Sequence, residues 1–180
     1  MRPGDVLEFW FGEQARPYWF VRSDAFDASV RQRLGPMHEA AAAGRLAGWT
    51  DDAIACLALV IVLDQVPRNL FRGTPRAFAS DAMALETARL AVERGYDADL
   101  TPDQRAFLYL PFEHSEDPVI QRRAVELFRN RIGPGIYLDY AVRHQEIIDR
   151  FGRFPHRNDI LGRRSTEDEI EFLKQPNSSF

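Results

Sequence analysis

The chain has 180 residues, 45% hydrophobic and 12% aromatic, enough for a packed core and inconsistent with a disordered polypeptide. A net charge of −4 argues against sequence-independent nucleic-acid binding, and Cys56, the only cysteine, excludes an internal disulfide and a cysteine-based zinc site. The opening MRPGDVLEFWFG lacks the apolar stretch and cleavage site of a signal peptide, and the longest apolar run, residues 53–62, is shorter than the about 20 residues that span a bilayer, so the simplest reading is a cytoplasmic protein with no membrane partner.

Apolar spacing is helical nearly throughout, with no sustained apolar-polar alternation, which predicts an all-α fold. Val6 to Phe11 reads as a short helix stopped by Gly12, followed by the aromatic knot Tyr18-Trp19-Phe20. Ser23 is placed to cap a helix whose buried face carries Phe26, Val30 and Leu34, kinked at Pro36 and resuming to Ala43. Thr50-Asp51-Asp52 starts a helix to about Gln65, which Pro67 is expected to end. A connector punctuated by Gly73 and Pro75 leads to a helix from about Ser80 to Arg94, closed by Gly95. Thr101 and Gln104 make a capping box for a short helix that Pro111 should stop. Asp117-Pro118 opens the next, to near Gly133, and Gly135 to Phe151 forms another, closed by Gly152. The Phe154-Pro155 corner favours an extended or cis bond. Ser165 with Asp168 reads as a capping box for a last helix to about Lys174, before a tail over residues 175–180. Eight or nine helices joined by short loops predict antiparallel hairpins in a single domain of residues 1–180, as a bundle or short superhelix.

Polar residues gather in three places. Asp64 ends an apolar helix, and Arg68, Asn69 and Arg72 follow it; their guanidinium forks match phosphate or carboxylate in two-point contact, although arginines there also cap orphan helix carbonyls. Glu113 and His114 occupy a connector that crowds three acids beside a histidine, where a carboxylate can orient or charge an imidazole for acid-base work. Residues 143–164 carry six arginines against three acids and hold His144, Arg153, His156 and Arg157. His144 shares a helix face with Tyr140, Ile147, Ile148 and Phe151, so a hydrogen-bonded core histidine competes with a functional one. No H-E-x-x-H spacing, nucleophile elbow or phosphate-cradling glycine loop occurs, and neither a metal nor a cofactor is expected.

The blocks LDQVPRNLFRGTPRAFASD, YLPFEHSED and HQEIIDRFGRFPHRNDILGRRST, with EFWFG and FLKQPNSSF at the two ends, resemble the bacterial domain-of-unknown-function family 924 over essentially the whole chain. Val66 stands where that family's LDQ-x-PRN block leads one to expect an aromatic residue. The resemblance implies an all-α, tetratricopeptide-like helical fold and no chemistry.

The favoured expectation is a helical module holding a small anionic molecule or an acidic peptide end among Asp64, Arg68, Asn69, Arg72, Glu113, His114, His144, Arg153, His156 and Arg157. The alternatives are a hydrolase or lyase with His114 or His156 as acid-base and the arginines as clamp, and a scaffold for another protein.

Overall fold

Among the described residues of the computed structural model, 1–176, Ser178 and Ser179, there are eight α-helices, four short 3-10 turns and no strand, as an all-α chain requires. The tail read over residues 175–180 includes two residues outside that set, Asn177 and Phe180. The chain forms two compact units, one of Met1–Arg72 with Arg76–Pro111, the other of Gly73–Pro75 with Phe112–Phe180.

The first unit is built on helix α3 (Ala53–Leu70), against which α1 (Pro3–Phe11), α2 (Asp24–Ala42) and α4 (Asp81–Glu93) pack. Every residue of α3 from Ala55 to Pro67 is buried, because a helix apolar on all sides is stable only when surrounded. Length and composition alone would let it cross a membrane, yet most of it lies inside the protein. Its N-cap is Asp52, whose carboxylate accepts from the Ala55 amide, and Ser23 caps α2 by accepting from Phe26.

Two prolines behave differently from their sequence reading. Pro67 lies within α3, which runs on to Leu70, and Pro111 within α5 (Pro102–Glu113), while α2 continues through Pro36 to Ala42 as expected. A helical proline has no N–H for the carbonyl four residues earlier. At Pro67 that carbonyl is Leu63, and the buried Ser80 hydroxyl donates to it at 2.5 Å, replacing the missing bond from another element.

The second unit pairs α6 (Pro118–Arg131) with α7 (Ile136–Phe151), and α8 (Glu167–Leu173) lies against the 3-10 turn Pro155–Arg157. Its apolar centre is Ile147, Ile148 and Phe154, flanked by Phe151 and Phe172. Gly152 closes α7 at φ +68°, a left-handed conformation that costs a non-glycine residue energy. Phe154 is extended, φ −86° and ψ 109°, and no described peptide bond is cis. The last capping box sits one residue later than its sequence reading. Thr166 accepts from the Glu169 amide and Glu169 from the Thr166 amide, while Ser165 accepts from Asn158 Nδ2.

Candidate functional site

Five of the ten expected site residues come together within the second unit. Glu113 ends α5 and His114 begins the connector to α6, where Gln121 Nε2 donates to the carbonyls of Glu113 and Ser115, both at 2.6 Å, gripping the backbone on either side of His114. From α7, His144 points its Nδ1 at Glu113 Oε1, 3.0 Å away, and at the Tyr140 carbonyl, 2.8 Å away. Both neighbours are acceptors, so Nδ1 carries the proton and Nε2 keeps the lone pair of a neutral ring. The Glu113 carboxylate therefore orients His144.

Burial is the main influence on His144 and lowers its pKa to about 3, with His114, His156 and Arg157 adding charge of like sign. The Tyr140 carbonyl pulls the other way, as does a carboxylate as close as that of Glu113. We take the imidazole as neutral at pH 7, because desolvation is the largest influence on a group only 4% exposed.

The aromatic centre of the cluster is Phe154, itself fully buried. Its ring meets His144 edge-on at 5.5 Å and His156 at 5.7 Å, and the Arg157 guanidinium lies over it at 4.6 Å. His114 stands 6.4 Å from His144, ring centre to ring centre. Glu113, His144 and Arg157 are buried, whereas His114 and His156 are half-buried and form the cluster's more accessible side.

One device that fixes this cluster escaped the sequence reading. The Glu116 carboxylate accepts from Arg163 Nη1 at 2.6 Å, from Arg163 Nη2 at 2.9 Å and from the Phe154 amide at 2.8 Å. Arg163 Nη2 also donates to the Phe154 carbonyl at 3.1 Å, and its Nε to Asn158 Oδ1. Both polar groups of Phe154 are thus held by one ion pair bridging two connectors. Burial raises the Glu116 pKa, but the bonds from Arg163 and Phe154 outweigh it and hold the carboxyl below its ordinary range. The signal in the sequence is Glu116, one of the three acids crowded beside His114; Asp117 caps α6.

The other five expected residues are engaged elsewhere. Arg153 makes a two-point contact with Glu169, at 2.6 and 2.8 Å, and this contact is the chief reason the Glu169 pKa falls to about 2. In the first unit Asp64 is fully buried, accepts from Gln65 Nε2 at 2.6 Å and lies 3.3 Å from Arg68. Arg68 grips Asp81 with both terminal nitrogens, at 2.8 and 3.0 Å. Asn69 and Arg72 converge on Asp27, Asn69 at 2.7 Å and Arg72 Nε and Nη2 at 2.8 Å each. Among the described residues no group of three His, Cys, Asp or Glu side chains has a metal-binding arrangement.

Residues 6–177 match the profile of the bacterial proteins of unknown function DUF924. The chain belongs to that family. This DUF924 member is also similar to a solved structure, the protein of unknown function ATU0120 from Agrobacterium tumefaciens, with 42% identity, a TM-score of 0.91 and 96% of each chain covered. No functionally curated protein matches it.

Proposed function

We propose that this DUF924 member is a helical module of the tetratricopeptide-like kind whose second unit binds a small anionic ligand, phosphate- or carboxylate-bearing, or an acidic peptide end. The observation that carries this reading is the convergence of His114, His144, His156 and Arg157 on Glu113 and Phe154. Burying ionisable groups costs stability, and their concentration away from helix ends and exposed ion pairs is characteristic of binding and catalytic sites. Arg157 supplies fixed positive charge, and the half-buried His114 and His156 supply donors on the accessible side. Calorimetry with phosphorylated and carboxylate ligands tests this: His156→Gln and Arg157→Gln should each weaken binding by about tenfold, the loss of one charge-assisted contact. Unchanged affinity in both, with the fold intact, refutes the reading.

A hydrolase or lyase is the second reading, favoured by the Glu113-His144 pair. A carboxylate on Nδ1 fixes the tautomer that leaves Nε2 able to take a proton, as general-base catalysis requires. A broad hydrolase, phosphatase and lyase screen on folded protein, silent with and without divalent metals, removes it.

A further inference from the structure

We infer that the first unit carries a second binding site, for a small oxyanion such as phosphate or a phosphate monoester, in the cleft between the start of α2 and the end of α3. The cleft is open, has a volume of about 290 Å³ and is lined by Arg22, Asp24, Asp27, Arg31, Asn69 and Arg72. That volume lies below the range that encloses a drug-sized ligand, so the occupant is small.

The charges in the cleft do not cancel. Three guanidinium groups face two carboxylates, and Asp27 is already engaged by Asn69 and by two nitrogens of Arg72. Asp24 pairs loosely with Arg22 at 3.5 Å, with both side chains largely exposed. Among the described residues Arg31 makes no ion pair; it donates through Nη2 to the Leu70 carbonyl at the end of α3. This single tether fixes the guanidinium at the cleft wall and leaves its remaining donors uncommitted to any acid. Arg68, Arg153 and Arg163, by contrast, each grip a carboxylate at two points. Arg31, tethered at the cleft wall, supplies the planar fork suited to tetrahedral oxyanions, with Arg22 at the rim and the Arg72 guanidinium, gripped on one edge by Asp27, adding positive charge beside it. Part of the ordering cost of binding is thereby met in the free protein.

This site stands independently of the histidine cluster, and the test separates the two. Inorganic phosphate is titrated into the full chain at constant ionic strength, with chloride as the compensating anion, and backbone amide shifts are followed. Saturable shifts are expected at residues 22–31 and 69–72. They should require about tenfold more phosphate in Arg31→Gln, and also be weakened in Arg22→Gln, whose exposed side chain can be changed without disturbing the fold. His156→Gln should leave these shifts unaltered. The inference is overturned if phosphate moves these amides no more than chloride, if both arginine variants titrate like the parent, or if glycine, a zwitterion, saturates the cleft where phosphate does not.

Discussion

Replacing Glu116 by alanine tests the ion pair that holds Phe154 beneath the histidines. The change removes three contacts at once, two from Arg163 and one from the Phe154 amide. Phe154 is fully buried, so its N–H is left without an acceptor, a penalty of about 1–3 kcal/mol. The Glu116 and Arg163 side chains are 28% and 25% exposed, so the ion-pair loss itself is partly screened by water. Together these give a destabilisation of about 2–3 kcal/mol, measurable as a lower urea midpoint at unchanged slope. The folded-state pKa of Glu116 lies below its ordinary 4.5, so its stabilising effect is complete above pH 4.5 and is lost as the pH falls through the lower folded value. The gap between parent and variant should therefore be constant near neutrality and narrow on acidification. A loss below about 0.5 kcal/mol at pH 7, the range of an ordinary surface substitution, would show that the clasp does not hold the cluster.

Two further predictions concern buried polar groups. Ser80→Ala should cost about 1–2 kcal/mol by orphaning the Leu63 carbonyl, and adding Pro67→Ala should recover part of that by restoring the helix N–H; chemical denaturation of both variants decides, and a neutral Ser80→Ala sinks the account. His144 has a folded pKa of about 3 against an ordinary 6.5, so between those values the unfolded chain binds the extra proton and stability falls as the pH falls. In His144→Gln this acid slope should flatten by about one proton over that window, read from denaturation midpoints at several pH values, and parallel slopes in parent and variant would show that His144 is charged in the fold.

Helix count, most caps and the residues of the buried faces were legible because they depend on neighbours within a few positions. Ser23, Asp117 and the Thr101-Gln104 pair bond the amides their spacing implies. Several of the misread features depend on a partner far along the chain. Pro67 reads as a stop until Ser80, 13 positions later, supplies a donor to the carbonyl it orphans. In the stretch Ser165-Thr166-Glu167-Asp168-Glu169 two capping registers fit equally well, Ser165 with Asp168 and Thr166 with Glu169. The second is realised, and Glu169 is the acid that Arg153 grips and the fold buries, while Asp168 stays exposed. Adjacency points from Glu113 to His114, and it cannot show that helix α7 also brings His144 to the carboxylate from 31 positions away.

The same reasoning explains why an arginine-rich block is a poor guide to where an anion can bind. The chain has 27 acidic and 23 basic residues, so a guanidinium held against the fold is more apt to meet a carboxylate of the chain than to remain available to a ligand. A two-point grip on a phosphate and one on Asp81, Asp27, Glu169 or Glu116 use the same planar fork, and spacing along a helix does not distinguish them. What distinguishes them is whether an acid from a distant element arrives opposite. Arg72 attracts attention in sequence because it follows Asn69 in a dense polar block, yet two of its nitrogens are committed to Asp27. Arg31 sits between the apolar positions Val30 and Leu34 of α2, and among the described residues it is the guanidinium of that cleft without a carboxylate partner. An arginine's availability to a ligand is thus set by the placement of acids elsewhere in the fold, and Arg31→Gln should show a larger effect on oxyanion binding than Arg68→Gln, whose main cost will be to stability.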